Sequence, residues 1–407
     1  MSVWPTSPAH HRWLDQHSRD LLAFGRRTAD PEGGARWLDG RGDPVPGRPL
    51  TALISARMTH VYGIGALLGV PGAGLVARQA LAGLTGRLRD TGHGGWFSEL
   101  GQEGKSCYDH AFVLLAASTA VQAGLPGAAE LLAEAEETFL ARFWDEQAGM
   151  CVDTWDTAFT TLDDYRGINA NMHSVEAMLS VASVTGDRAW IERALRICRF
   201  VTTTAEAHEW RIPEHYDAQW QPLPDYNSDK PDHQFKPYGA TIGHGLEWSR
   251  LLMHAAYAPG ATASAWLIDA ARALFDRAVA DGWAVDGADG FVYTTDWTGR
   301  PVVRDRMHWV AAEGIAAAAA LHAHTRDRAY ADHYRTWWDY AAAHLLDHEN
   351  GSWFHQLDPA NVPTDTVWPG KADLYHAFQA TLVPRLPLWP MLAAAVDQHL
   401  ASSPERG

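Results

Sequence analysis

Between Ala128 and Val181 the chain reads AAELLAEAEETFLARFWDEQAGMCVDTWDTAFTTLDDYRGINANMHSVEAMLSV. From Ala128 to Trp144, apolar residues recur at helical spacing beside an acidic stripe, the pattern of a helix that buries one face. From Gly149 to Gly167 that period stops, and glycine, aromatic and polar residues with turn chemistry take over. From Ala170 the helical period returns with hardly a charge, and His173 stands just ahead of the apolar run SVEAMLSV. The unit is a striped helix, an extended loop and an apolar helix.

That unit recurs along the chain. Arg57-Met-Thr-His60, Cys107-Tyr-Asp-His110, Asn171-Met-His173, Ile242-Gly-His244, Arg306-Met-His308 and Leu374-Tyr-His376 each precede a helix-compatible run. The pattern predicts a histidine at an equivalent place near the start of all six apolar helices. Glycine-aromatic segments lie ahead of them at Gly94-GWFSEL, Gly149-MCVDTWD, Glu209-WRIPEHYD, Gly290-FVYTTDWTG and Gly351-SWFHQLD, with a weaker first copy at Ala35-RWLDGRG. Twelve helices are expected, over about 8–27, 51–69, 73–90, 107–124, 126–143, 170–185, 187–205, 240–257, 261–281, 306–325, 327–347 and 372–399. Six helical hairpins of this kind close into a ring, with the apolar helices inside and the striped ones outside. An open solenoid would need polar capping repeats, which neither end supplies. The expectation is an all-α barrel forming a single domain over 1–407, with the six loops at one end. Two long polar, aromatic inserts, Asp153 to Gly167 and Glu214 to Gly239, are expected to wall a pocket there.

Composition narrows the function. A net charge of −16 disfavours a phosphate-binding surface, so no nucleic-acid partner is expected. Three cysteines without a CxxC exclude a disulfide framework and a thiolate zinc site. Gly69-VPGAGL lacks the ending of a phosphate loop, and no nucleotide cofactor is expected. Met1 to His17 lacks a basic start followed by an apolar core, and no run reaches membrane-spanning length. The expectation is a cytoplasmic protein without membrane partners. The 19 tryptophans suit sugar faces and cores alike, with core filling the more ordinary use of any one.

Each histidine also has an ordinary structural reading, capping a helix or bonding a buried carbonyl. Six at matched positions weaken that reading for the set. Histidine suits proton transfer near neutral pH. His173 with Glu176 and His244 with Glu247 are i,i+3 pairs on one helix face, so Glu247 is placed to orient His244 or to receive a substrate hydroxyl. A metal site built from such pairs is an alternative, although the spacing is neither HExxH nor that of di-iron bundles. A paired-carboxylate hydrolase using Asp109, Glu176, Glu247 or Glu313 is another.

The segments Arg57-Met-Thr-His60, Asn169-Ala-Asn-Met-His173-Ser-Val-Glu176-Ala, Pro237-Tyr-Gly-Ala-Thr-Ile-Gly-His244-Gly-Leu-Glu247-Trp248 and Gly370-Lys-Ala-Asp-Leu-Tyr-His376-Ala-Phe-Gln379 resemble those of the N-acylglucosamine 2-epimerase superfamily. The likeness runs from about Trp13 to Leu388 and touches every repeat, with the family's mannose-isomerising members nearest and its sulfoquinovose-isomerising members close behind. The resemblance implies an (α/α)6 barrel and metal-free, cofactor-free proton transfer at C1 and C2 of a small monosaccharide. It implies interconversion of D-mannose with D-fructose, and of D-lyxose with D-xylulose, by a monomer or homodimer. His244 and His376 match the family's acid and base, and Arg57 matches the arginine that holds the sugar oxygens. Tyr108, Asn169, His173, Glu247, Trp309, Glu313 and Gln356 match pocket-lining positions. The chemistry asks for these types: a base with a pKa near working pH removes the C2 proton, and a permanent cation faces the developing oxyanion. A sugar C2 epimerase using the same histidines is the nearest alternative. A non-catalytic sugar-binding protein is a more distant one.

Overall fold

The computed structural model describes residues 3–260 and 264–401. Its α-helices are α1 (Pro8–Phe24), α2 (Ala52–Leu67), α3 (Ala73–Thr85), α4 (Cys107–Gln122), α5 (Ala128–Arg142), α6 (Ile168–Thr185), α7 (Arg188–Ala207), α8 (Ile242–Tyr257), α9 (Ala265–Gly282), α10 (His308–Thr325), α11 (Arg328–Tyr340), α12 (Tyr375–Leu382) and α13 (Leu392–Val396). The alternation read from the sequence is present. α2 buries every residue from Ala52 to Gly65, and α10 every residue from His308 to His322. α3 buries a stripe, Ala73, Val76, Ala77, Ala80, Leu81 and Leu84, and α5 does the same through Leu131, Leu132, Ala135 and Phe139.

Three expectations need correction. The helix expected over 73–90 stops at Thr85, ahead of Gly86. The helix expected over 372–399 ends at Leu382, because Pro384, Pro387 and Pro390 withhold N–H donors and crowd the preceding turn. The six histidines are also not at one helical position. His60 is the ninth residue of α2, whereas His308 is the first of α10. The Thr51 hydroxyl, which accepts from the Ile54 N–H, starts α2 well upstream of its histidine.

The chain forms two compact units. The first holds Leu22–Ile197, Ala372–Tyr375 and the described residues from Trp389 onward. In it α2 packs on α3 and α4, α4 packs on α5 and α6, and α13 lies against α2, α4 and α6. The second holds the described residues up to Leu21, Cys198–Lys371 and His376–Leu388. There α8 packs on α9 and α10, and α10 packs on α11. Small residues permit the close approach. A Cβ on Gly243 of α8 would collide with the Trp309 ring of α10.

Two-residue strands leading into the apolar helices pair with strands of the following glycine-aromatic segment, such as Ala240–Thr241 with Thr294–Thr295 and Arg306–Met307 with Gln356–Leu357. The tips of those segments share one turn. Asp39, Asp156, Asp217, Asp296 and Asp358 each accept from a backbone N–H three residues on, and the residue there is left-handed in all five: Gly42, Phe159, Trp220, Gly299 and Asn361. A second recurring turn, Asp90-Thr-Gly-His-Gly94 and Asp347-His-Glu-Asn-Gly351, takes up a buried lysine. Lys105 donates to Asp90 at 2.7 Å and to the Gly94 carbonyl at 2.5 Å. Lys371 donates to Asp347 at 2.6 Å and to the Gly351 carbonyl at 2.5 Å. Both lysines are buried, and each ammonium faces a phenylalanine ring, Phe97 or Phe354.

Candidate active site

In the second unit two imidazoles are anchored in the same way. His244, third in α8, meets Glu214 through Nδ1 at 2.6 Å. His376, second in α12, meets Glu313 of α10 through Nδ1 at 2.9 Å. With Nδ1–H donating to a carboxylate, the neutral ring carries its lone pair on Nε2, the form of a general base. The Trp309 indole touches both rings, with centroids 5.2 Å from His244 and 5.6 Å from His376. Both carboxylates are buried, but they are held differently. The second oxygen of Glu214 is buried without a hydrogen-bond partner among the described residues. Glu313 also accepts from Arg250 Nε at 2.7 Å, and Arg250 Nη2 lies 3.4 Å from Glu247.

In the first unit the Arg57 guanidinium, 4 % exposed, sits in a cage. It donates to Asp373 at 3.0 Å and to the Tyr108 hydroxyl at 3.0 Å, and it lies over the rings of Phe112 and Tyr375. Burial alone would lower its pKa, but Tyr108, Asp373 and Tyr375 offset that and hold it above its ordinary value. His173 packs by its ring on Phe112 and edge-on to Tyr108, with Nδ1 3.5 Å from Glu176. Glu176 also accepts from the Tyr375 hydroxyl.

The model of the N-acylglucosamine 2-epimerase family matches residues 33–380. The chain belongs to that family. It is 49% identical to a D-mannose isomerase of Thermobifida fusca across 97% of this chain and 99% of that one. It is 44% identical to a D-mannose isomerase of Pseudomonas cannabina pv. alisalensis, across 97% of each. Among solved structures, the crystal structure of a D-mannose isomerase superposes with a TM-score of 0.86 at 28% identity, covering 93% of this chain and 99% of that one. A cellobiose 2-epimerase from Spirochaeta thermophila shares the fold, with a TM-score of 0.80 at 21% identity over 93% and 97%. The fold class expected from the repeat, an all-α (α/α)6 barrel, is that of these epimerase-family structures.

Within this member of the epimerase family, Glu247 shares a helix with His244 but is engaged by Arg250, and the carboxylate on His244 is Glu214. Glu247, Glu313 and His376 each bring an atom within 4.8 Å of the others. Here Arg250 already contributes a positive charge to both carboxylates. Asn169, second in α6, is half-buried. Gln356 is buried, and its amide is committed to the loop after it: Nε2 donates to Thr366, and Oε1 accepts from the N–H groups of Val367 and Trp368.

The remaining histidines of the repeat are structural. His60 bonds Thr119, and burial pushes its pKa down to about 4. His110 joins the Ser106 carbonyl to the Trp96 N–H, and burial pushes it to about 3. His308 stacks on His355 at 3.9 Å. Glu214, Arg250, Asp373 and Tyr375 carry no periodic signal. Only the position of Asp373 and Tyr375 beside His376, inside the family-like segment, sets them apart.

Proposed function

We propose that the chain is an aldose–ketose isomerase that interconverts D-mannose and D-fructose, and also D-lyxose and D-xylulose, without a cofactor. The observation that carries this reading is the pair of carboxylate-anchored imidazoles sharing Trp309, in a chain related over nearly its whole length to D-mannose isomerases. In the open-chain aldose, His376 removes the C2 proton as the C1 carbonyl gains electron density, giving a cis-enediol. The same imidazolium returns the proton to C1 as the C2 oxygen becomes the ketone. His244 assists ring opening and moves protons between oxygens. Arg57 faces the developing oxyanion with a charge that is never lost. Tyr108, Asn169, His173, Glu247, Trp309, Glu313 and Gln356 complete the sugar-binding set. The chain works as one catalytic domain over 1–407, in the cytoplasm, as a monomer or homodimer.

Incubation of the purified protein with D-mannose in the presence of EDTA, followed by sugar chromatography, is expected to yield fructose. Glucose alone would assign a C2 epimerase instead. His376→Asn and His244→Asn are expected to lose roughly 10²-fold or more in kcat while keeping the wild-type circular dichroism. Near-normal turnover in either folded variant would remove that residue from the mechanism.

A further inference from the structure

The two histidine–carboxylate pairs are not equivalent, and the difference lies in Arg250. Glu214 gives its bonded oxygen to His244 alone among the described residues. Glu313 is bridging: Oε1 faces His376 Nδ1 at 2.9 Å and Oε2 faces Arg250 Nε at 2.7 Å. Arg250 is fully buried, so its charge is poorly screened. A guanidinium on one oxygen of a carboxylate draws charge from the other and weakens its hold on an imidazolium.

We propose that Arg250 is a positioning residue that, through Glu313, keeps His376 in the unprotonated form needed to remove the C2 proton. This rests on the isomerase reading above. Groups that face His376 include Glu313 and His308 of α10 and Glu247 of α8, with Arg250 behind the two carboxylates. On its own segment, Asp373 is engaged by Arg57 and Lys371 by Asp347. Glu313 and Glu247 both favour a protonated His376. Arg250 is a cation bonded to both carboxylates. A neutral base with a carboxylate on Nδ1 also keeps Nε2 aimed, so Arg250 fixes orientation and protonation together.

The test follows the His376 imidazole directly by NMR titration of ¹⁵N-histidine-labelled protein, assigned with His376→Asn, alongside the pH profile of kcat/KM for D-mannose. The sugar has no titrating group near neutral pH, so the acid limb of that profile reports the enzyme. Arg250→Met is expected to move the His376 titration and the acid limb upward by about one pH unit. Arg250→Lys is expected to keep both near the wild-type position. Removing Arg250 strips a charge from two buried carboxylates, so the second comparison sets Arg250→Met/Glu313→Gln, in which one positive and one negative charge leave together, against Glu313→Gln. If Arg250 acts through Glu313, these two variants titrate alike at His376. An Arg250→Met protein that folds and slows with an unmoved titration, or a shift that persists in the Glu313→Gln background, would overturn the proposal. A wild-type protein that converts no aldose would overturn the isomerase reading instead, and the NMR comparison would still report on Arg250.

Discussion

Glu214 lies in Glu209-WRIPEHYD, a stretch whose sequence marks turns and rings and gives no sign of a chemical carboxylate. Its role comes from a contact across thirty residues to His244, which periodicity does not reach. The neighbour that periodicity does offer, Glu247, is turned toward Arg250. The chemical identities of His244, His376 and Arg57 were legible because they stand in family-like segments. Their partners were not, because ion pairs such as Arg57–Asp373 join residues 316 apart. Glu214→Gln keeps a hydrogen-bond acceptor but removes the charge. It is expected to lower kcat by roughly 10- to 100-fold with KM little changed, as measured by steady-state conversion of D-mannose. A proportional rise in KM with an unchanged kcat would show Glu214 acting in sugar binding instead.

Elements are more legible in the sequence than single residues. The contrast between apolar and striped helices is a composition effect, since a helix enclosed on all sides must be apolar all round. It survives errors of register. Register itself was not legible: the loops feed the helices at different depths, so histidines that look equivalent in sequence serve different ends. Gly243 shows what the packing of α8 on α10 requires. A methyl group there would displace the Trp309 ring that touches both His244 and His376. Gly243→Ala is expected to cost about 1–3 kcal/mol of stability, because the α8–α10 seam has no room to take it up. Chemical denaturation would read that loss, and kcat should fall with it. A variant as stable and as active as wild type would mean the seam yields.

Across the whole molecule, burial has a pH signature. His10, His17 and His60 are pushed down to about 4 and His110 to about 3, in every case first by burial. Unfolded, each would titrate near 6.5, so the unfolded chain binds protons that the native one refuses. The stability these groups contribute is complete above pH 6.5 and is lost as pH falls toward 4. Asp347 adds to this lower down. Burial alone would raise it, but Lys371 and the backbone amides of Asn350 and Glu349 hold it at about 2, so its contribution fades below its ordinary range. Urea midpoints are expected to be level from pH 8 to 7 and to fall between pH 6.5 and 4.5. A midpoint unchanged down to pH 5 would contradict this. At this scale the six-fold repeat made the fold class legible. The division into two compact units was not, since the boundary falls inside α7 and again between Tyr375 and His376, where no linker chemistry marks it.

The two buried lysines have a practical consequence. The chain has only four, and Lys105 and Lys371 are sealed against their aspartates. The remaining side-chain amines, the exposed Lys230 and the half-buried Lys236, both lie in the insert that begins at Glu214. Acylating dyes, cross-linkers and solid supports that couple to lysine therefore address one loop of the native protein, which makes lysine modification a reporter for the segment carrying the His244 carboxylate and a poor choice for immobilising the protein in working form.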